Sequence, residues 1–392
     1  PSTIGSAAYP QPKEACERTR FRPVTQMNIL HTLYDDIDNP WCGGGGALRT
    51  WEIVRRLSHK HQITILSGAY PNAPREETIE GVHIRRVGSD RSYLLSRMSF
   101  AHYASREIAR TNTDLWVHQF SAFAPLFVSA QKRRNSLLEF SHFMGDHAIA
   151  KYPLLGHIAR KAEQRALRLH SHIQTVSPTV TRQLEKRAPH AQFYLVYNGI
   201  DQICFDAPWV EQDYILYFGR MDIHNKGIDI LLSAFAKLNA PDIRLILSGR
   251  GTPQSKREIR SIANRLNIAN RVEFTGAVTP EQKNSLMGHA LFVCTPSRYE
   301  GWGIVAIEAA AAAKAVIGTD IPGLTDAIRA DETGLLVPSE DPQALASAMN
   351  RLLSDPILRK RLGAAGRKWA AQFTWDRTAQ AQEEVYLKVA ND

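Results

Sequence analysis

From residue 27 onward, short apolar runs alternate with longer stretches in which apolar residues recur at a helical period. Short apolar runs bounded by turn residues predict strands, and the amphipathic stretches between them predict helices. In the first half the predicted strands are Asn28–Leu33, Gln62–Ser67, His83–Val87, Leu115–His118, Ser136–Phe140, His172–Val176 and Phe193–Val196, and the predicted helices are Gly46–Ser58, Arg97–Arg110 and Leu154–Leu169. This alternation favours a parallel, doubly wound α/β sheet.

The same alternation restarts after the turn dipeptide Asn198-Gly199. The strands predicted there are Tyr214–Gly219, Ile243–Ser248, Val272–Thr275, Leu291–Thr295, Ala315–Gly318 and Gly334–Val337. Helices are predicted between these strands, notably Gly227–Leu238, Pro253–Leu266 and Ile304–Ala313. Two α/β domains predict a ligand cleft between two sheets, facing the carboxyl ends of their strands.

The length of 392 residues is about twice that of a usual single domain, which agrees with this division. Residues 1–26 are rich in Pro, Ser, Thr and charge and have no clear period, so we predict an N-terminal extension there. We place an N-terminal domain at residues 27–200 and a C-terminal domain at 201–373.

The composition, 44% hydrophobic and 22% charged, is typical of a globular protein and argues against disorder and repeats. No apolar run reaches the roughly 18 residues that span a bilayer. The net charge of +9 is uneven, because residues 1–200 carry +10 and residues 201–392 carry −1. The first half therefore favours an anionic partner such as a phospholipid surface, a phosphorylated substrate or a nucleic acid, with a surface tuned for solubility as the alternative.

The cysteines indicate neither a disulfide framework nor a zinc site. They lack C-x-x-C and His-flanked spacing. The four positions are Cys16, Cys42, Cys204 and Cys294. We therefore expect a reducing, cytosolic compartment.

Four consecutive glycines, Gly43 to Gly46, follow the first predicted strand and open a helix. Glycines allow the backbone to approach a ligand closely, and a helix N-terminus offers free N–H groups to a phosphate. A nicotinamide dinucleotide site would need G-x-G-x-x-G, but Leu48 takes the place of the last glycine. The loop therefore predicts a phosphate contact of another kind, with a ligand-free flexible loop as the alternative.

A second motif places cations at the end of the first strand of the second half. Gly219-Arg220 ends that strand, and Lys226-Gly227 begins the next helix. An Arg and a Lys so placed form a diphosphate clamp that requires no metal. Exposed surface cations are the alternative interpretation.

The most specific motif is Ser297-Arg298-Tyr299-Glu300-Gly301-Trp302-Gly303-Ile304, which runs into a helix that contains Glu308. Two carboxylates thus flank a Gly-rich loop and the first turn of a helix. Glu308 lies among apolar residues, where a carboxylate needs a partner. The pair predicts that one acid faces a sugar and the other a ribose, with dipole stabilisation of Glu308 as the alternative.

Together these residues resemble the retaining nucleotide-sugar glycosyltransferases of family four, which have the GT-B fold. The resemblance covers about residues 27–390. It rests on the order of Gly45-Gly46, Asn198-Gly199-Ile200-Asp201, Gly219-Arg220, Lys226-Gly227, Glu300-x7-Glu308 and Pro322-Gly323-Leu324-Thr325-Asp326. It implies two Rossmann-like domains around a cleft, and a C-terminal helix over 374–392 that crosses back to the N-terminal domain.

The resemblance implies a role for each matching residue. Arg220 and Lys226 would hold the donor diphosphate, Glu308 the ribose, and Glu300 the hydroxyls of the donor sugar. The other residues it implies in donor binding are Gly45, Gly46, Gly219, Gly249, Arg250, Gly301, Trp302, Gly303 and Ile304.

The resemblance also implies that His118, at the end of a predicted strand, contacts the reacting sugar or the acceptor. His142 and Asp146 are implied on the acceptor side. Two positions depart from the family's pattern: Trp302 stands where Phe is frequent, and Pro322-Gly323-Leu324 replaces a Gly-Gly pair. Both bear on the donor sugar, so the sugar stays open.

The function that follows is transfer of a hexose from a UDP- or GDP-sugar to a hydroxyl acceptor, with retention of configuration and no metal or other cofactor. Glu300, His118, Arg220 and Lys226 would carry the reaction. We expect an anionic or lipid-linked acceptor, peripheral contact of the basic N-terminal domain with an anionic membrane, and no nucleic acid. A nucleotide-sugar epimerase of the same fold and a non-catalytic protein that binds polyanions or membranes are the alternatives.

Overall fold

The computed structural model describes residues 26–121, 128–141, 153–208 and 210–392. Among them, eight strands form a first sheet in the order β3-β4-β2-β1-β5-β6-β7-β8. These strands are β1 Asn28–Thr32, β2 Gln62–Gly68, β3 Glu76–Ile79, β4 Val82–Val87, β5 Leu115–Gln119, β6 Ser136–Phe140, β7 His172–Thr175 and β8 Gln192–Leu195. All neighbours are parallel except β3, which pairs antiparallel with β4 at the sheet edge.

The helices of this domain connect successive strands, as a doubly wound sheet requires. They are α1 Gly45–Leu57, α2 Tyr93–Arg110, α3 Ala130–Arg134, α4 Pro153–Leu169 and α5 Pro178–Glu185. Helix α2 begins four residues before the predicted start, because the Ser92 hydroxyl accepts a hydrogen bond from Leu95 N and caps the helix there. The predicted extension lies outside the described residues apart from Gln26.

Six strands of the described part form a second, fully parallel sheet in the order β11-β10-β9-β12-β13-β14. Its strands are β9 Tyr214–Phe218, β10 Arg244–Ser248, β11 Val272–Gly276, β12 Phe292–Thr295, β13 Val316–Thr319 and β14 Gly334–Val337. Its helices are α6 Ile223–Lys226, α7 Ile228–Phe235, α8 Pro253–Arg265, α9 Pro280–His289, α10 Ile304–Ala311, α11 Leu324–Ala327, α12 Pro342–Ser354 and α13 Pro356–Ala370, with short 3₁₀ turns at Gln202–Asp206 and Ala269–Arg271. The predicted α/β class with two parallel-sheet domains is confirmed.

A last helix, α14 (Trp375–Ala390), packs against α1 of the first domain. Its Tyr386 and Val389 lie in the same apolar cluster as Ile29 of β1. The chain therefore crosses between the domains twice, and the two crossings pair where Ile200 N donates to Phe373 O at 2.9 Å. The predicted boundaries at 200 and 373 fall at this pairing.

A buried polar network fixes these crossings to the first domain. The Arg49 guanidinium donates to Asn198 Oδ1 at 2.8 Å, to Tyr197 O at 3.0 Å and to Gln382 Oε1 at 3.0 Å. On the C-terminal domain's side, Asp326 accepts hydrogen bonds from Thr179 N at 3.0 Å and Thr179 Oγ1 at 2.8 Å. The two domains are thus joined both at the crossings and across the cleft. None of the helices in the described ranges is long and apolar enough to cross a bilayer.

Candidate active site

The predicted motifs lie at the two positions where the strand order of a sheet reverses direction. In the first sheet this position is between β1 and β5, and in the second it is between β9 and β12. The glycine run follows β1, Gly219-Arg220 follows β9, and the segment with Glu300 follows β12. Crevices at such positions bind ligands in open α/β sheets, because neighbouring loops leave in opposite directions there.

The two crevices face one another across the cleft. A Cβ placed on Gly45 would lie 3.5 Å from Ile304 Cδ1, and one placed on Gly301 would lie 2.6 Å from Ser141 O. Arg220 is exposed, and its charge reaches the Cys42 thiol of the opposite domain. Burial and the nearby Asp35 raise the pKa of that thiol, and Arg220 partly opposes this rise. The structure therefore brings the glycine loop and the cation after β9 together.

Lys226 and Glu300 form an ion pair at the edge of the second sheet, with Lys226 Nζ 2.6 Å from Glu300 Oε2. Their side chains are 21% and 23% exposed, so both can be reached from the cleft. Gly227 makes this approach possible, because its φ is +63° and a Cβ there would lie 2.0 Å from Pro296 O. The two residues implied to hold a diphosphate and a sugar thus form an ion pair with each other.

Arg298 fixes the segment that carries Glu300. Its guanidinium donates to Asp229 Oδ1 at 2.9 Å, to Asp229 Oδ2 at 2.8 Å and to Glu340 Oε2 at 2.9 Å. It also donates to His224 O at 2.7 Å, in the helix of Lys226. Burial opposes ionisation of Asp229, but the bonds from Arg298 hold the pKa of that carboxyl below its usual value. The sequence motif contains Arg298 but indicates no role for it, and the structure shows that this side chain positions both members of the Lys226–Glu300 pair.

Glu308 lies on α10 with its side chain 8% exposed, and Lys283 of α9 provides its partner. Lys283 Nζ lies 2.7 Å from Glu308 Oε1. Burial disfavours the charged amine, but the Glu308 carboxylate outweighs it and raises the pKa of Lys283. The sequence places Glu308 among apolar residues and so predicts a partner for its carboxylate, but it does not identify that partner as Lys283.

Two glycine turns shape the edge beside Arg220 and Arg250. Gly249 has a φ of +133°, and a Cβ there would lie 2.0 Å from Gly219 O. Met221 N donates to Arg250 O at 2.8 Å, and Tyr217 Oη donates to Arg220 O at 2.7 Å. These bonds fix the backbone and leave both guanidinium groups exposed at the cleft edge.

The indole of Trp302 lies in the core instead of the cleft. It is 2% exposed and packs against Tyr197 and Phe373, with ring centroids 4.7 and 5.1 Å away. Any donor contact at this position therefore falls to its backbone. Gly303, with a φ of +69°, is the N-cap of α10, so the free N–H groups of the first turn of this helix lie at the cleft, where Ile304 faces Gly45.

His118 lies at the carboxyl end of β5 and is 0% exposed. Its ring stacks on Trp116 at 5.1 Å and lies 5.4 Å from His170, and both its nitrogens lack a hydrogen-bond partner among the described residues. Burial, with a smaller effect of His170, holds the pKa of this imidazole well below its usual value. The contact of His118 with a sugar stays a prediction, as do the roles of His142 and Asp146, which lie outside the described residues.

Two family models match consecutive parts of the chain. The model described as Glycosyltransferase Family 4 matches residues 43–202, and the model described as Glycosyl transferases group 1 matches residues 202–369. The D-inositol 3-phosphate glycosyltransferase of Jonesia denitrificans is 38% identical over 45% of this chain and 43% of its own length. The uncharacterized glycosyltransferase MJ1178 of Methanocaldococcus jannaschii is 26% identical over 93% of this chain and 100% of its own length. The chain thus spans less than half of the first of these relatives.

Solved structures share the architecture. A sucrose-phosphate synthase from Thermosynechococcus elongatus superposes with a TM-score of 0.77 at 24% identity, over 92% of this chain and 98% of its own. Anabaena HepE, solved in complex with UDP and glucose, gives a TM-score of 0.70 at 19% identity, over 91% and 98%. These identities show the fold alone. With both family models and this architecture, the chain belongs to glycosyltransferase family four and has the GT-B fold.

Proposed function

We propose that this glycosyltransferase is a retaining hexosyltransferase that moves a sugar from a UDP- or GDP-sugar to a hydroxyl acceptor, in the synthesis of a glycolipid or polysaccharide. The observation that carries the proposal is the joint position of Arg220, Lys226, Glu300 and Glu308 along one sheet edge that faces the glycine loop. The relatives include a D-inositol 3-phosphate glycosyltransferase, and the structural neighbours include a protein solved with UDP and glucose, which agrees with such a donor and acceptor.

In this proposal the Lys226–Glu300 ion pair is exchanged when the donor binds. The donor diphosphate competes with Glu300 for Lys226, because a diphosphate carries more charge than one carboxylate. Glu300 then loses its cation and accepts hydrogen bonds from the sugar hydroxyls. Glu308 lies further along the same edge, where it would accept hydrogen bonds from the ribose hydroxyls.

The reaction we propose is attack by the acceptor on the face from which the diphosphate leaves. The bond between the anomeric carbon and the phosphate oxygen breaks, the acceptor oxygen bonds to that carbon on the same face, and the acceptor proton passes to the phosphate oxygen. Arg220, Lys226 and the free N–H groups at the start of α10 stabilise the charge that grows on the leaving diphosphate. For His118 to contact the sugar, its ring must leave the stack with Trp116.

We also propose that the reaction requires no metal, because two cations already lie where the leaving charge develops. Across the described ranges no group of three or more His, Cys, Asp or Glu residues could hold a metal ion. Turnover that is equal with and without EDTA after metal-free purification is the expected result. Restoration of lost activity by Mg²⁺ or Mn²⁺ would contradict it.

Helix α2 supports a further part of the proposal, a peripheral contact of the N-terminal domain with an anionic membrane. Leu94, Leu95 and Met98 are 61%, 51% and 59% exposed near its N-terminus, and Arg106 and Arg110 are exposed further along the helix. An exposed apolar turn followed by cations matches an anionic bilayer surface. The variant Leu94→Ser with Met98→Ser is expected to reduce co-sedimentation with phosphatidylglycerol vesicles, and unchanged co-sedimentation would contradict this contact.

A thermal-shift screen of nucleotides and nucleotide sugars tests the donor, because a ligand that binds only the folded state raises the melting temperature. Anomeric retention is then read by NMR from the product formed with the donor that binds. Isomerised sugar after incubation with donor alone would instead favour the epimerase.

A further inference from the structure

The cations of the first domain fall into two groups, which differ in whether they line a groove between the two domains. Arg49 is buried in the network with Asn198 and Gln382. Arg55 and Arg56 both pair with Glu52 of their own helix. These three cations contact groups of their own chain and do not line this groove.

A second group of cations lines one wall of a groove of about 1150 Å³ between the two domains. Arg160, Lys161, Arg165 and Arg168 lie on α4, and Arg187 lies just after α5. The positions from Arg160 to Arg168 span two turns of helix, a length of about 12 Å. The wall is thus long enough to contact several charged groups of one extended ligand.

Fewer carboxylates than cations line this groove. The Glu163 side chain is 3% exposed and lies 3.5 Å from Arg187, and Glu300 pairs with Lys226. The described lining residues thus include six Lys and Arg residues, one of which, Arg298, belongs to the second domain, and two carboxylates. A groove of this sign concentrates an anionic ligand.

The opposite wall belongs to the second domain and contains Tyr299, Glu300 and Pro322. Glu300 is also the carboxylate that pairs with Lys226, so the groove opens directly onto the proposed reaction centre. The partly exposed ring of Tyr299 offers a flat apolar face beside it. A ligand that lies along the cations would thus present one end at the site of transfer.

We propose that this groove binds an anionic oligosaccharide, bearing carboxylate or phosphate groups, as the extended part of the acceptor. This inference rests on the proposed function. A bilayer surface does not enter a concave groove between two domains. A single nucleic-acid strand needs successive aromatic platforms, and Tyr299 is the one Phe, Tyr or Trp among the described lining residues.

The test measures fluorescence anisotropy of a labelled tetragalacturonate and of a labelled maltotetraose, which has the same length without charge. The variant Lys161→Glu with Arg168→Glu changes two exposed side chains of the groove, and Lys237→Glu with Lys360→Glu makes the same charge change on exposed side chains of the second domain. We expect wild type to bind tetragalacturonate about tenfold or more tightly than maltotetraose, with an affinity that falls as salt increases. The groove variant is expected to lose about tenfold or more, and the control variant about twofold or less.

Three results would overturn the groove assignment: equal affinity for the two sugars, equal losses in the two variants, or binding of inorganic polyphosphate with none of tetragalacturonate. Binding to phosphatidylglycerol vesicles that is lost only in the groove variant, without tetragalacturonate binding, would assign the cations to lipid. The melting-temperature increase with nucleoside diphosphate is measured on the same samples. If that increase is retained while sugar binding is absent, the groove assignment alone fails. If it is absent while tetragalacturonate binds, the proposed donor fails.

Discussion

The variant Glu308→Gln separates a ribose contact from a purely structural ion pair. Glu308 is 8% exposed and Lys283 is 18% exposed, with 2.7 Å between their charged atoms. The substitution keeps the size of the side chain and removes its charge, which leaves the Lys283 ammonium without its anion. Both stability and nucleotide affinity are therefore expected to change, but for different reasons.

The expected loss of stability follows from the burial of the pair. Breaking a fully buried ion pair costs about 3–5 kcal/mol, and the partial exposure of Lys283 reduces this to about 2–3 kcal/mol. For a domain of this size the melting temperature should fall by about 5–10 °C. The expected loss of affinity has another source, since a hydrogen bond to a charged group contributes about 1.5–3 kcal/mol, or roughly ten- to hundredfold in Kd.

The assay is isothermal titration, well below the melting temperature, with the nucleoside diphosphate that gives the largest thermal shift and with its 2′,3′-dideoxy analogue. Wild type should prefer the natural ribose by about ten- to hundredfold, and Glu308→Gln should bind both ligands equally weakly. Lys283→Met serves as the control, because it loses stability but keeps the carboxylate and hence the preference. A Glu308→Gln protein that melts earlier yet still prefers the natural ribose would refute the ribose contact.

Four further outcomes are expected. Lys226→Ala should lower turnover by about a hundredfold or more, measured as nucleotide release in the presence of acceptor, and wild-type turnover would exclude a diphosphate contact. Glu300→Gln removes the carboxylate that competes with the diphosphate for Lys226, so the affinity of this variant for the nucleoside diphosphate in calorimetry should equal or exceed that of wild type while turnover falls. Weaker binding would show that Glu300 holds the nucleotide. Arg298→Lys loses the paired bonds to Asp229, so turnover should fall about tenfold with donor affinity also weakened, whereas unchanged kinetics with a lower melting temperature would limit Arg298 to stability. Burial lowers the pKa of His31 to about 3 and of His170 to about 4, so below about pH 6.5 the unfolded chain takes up protons that the folded chain does not. The free energy of unfolding should therefore fall as the pH is lowered from about 6.5 to 4, by up to about 3 kcal/mol per pH unit. Equal urea midpoints at pH 7.5 and pH 5 would contradict this.

The strands were well predicted because parallel strands buried on both faces are short apolar runs. Edge strand β3 was missed, since its sequence EETI has no such run. A helix was expected between β11 and β12, but no bounds were predicted for α9, because its apolar positions do not follow one face. Thr279 and Gln282 form a capping box at its start, which was a usable signal in the sequence.

The sequence placed each candidate site residue on its strand end, loop or helix, but it did not identify the partner of any of them. The position of Glu308 among apolar residues indicated that its carboxylate needs a partner. Lys283 lies on another helix, however, and only the tertiary structure brings it next to Glu308. The pairing of Lys226 with Glu300 was not predicted either, since each had been assigned to a different part of the ligand. Trp302 shows a further limit, because a loop sequence does not indicate which side chains turn toward the core.

The most direct test of the central claim is calorimetric titration of UDP- and GDP-sugars into wild type and into a protein with both Arg220→Ala and Lys226→Ala. The account predicts saturable binding of at least one of these donors to wild type, reduced about a hundredfold or more in the double variant. Absence of binding by every UDP- and GDP-sugar at millimolar concentration, or equal binding by the two proteins, would contradict the assignment of this sheet edge to the donor diphosphate.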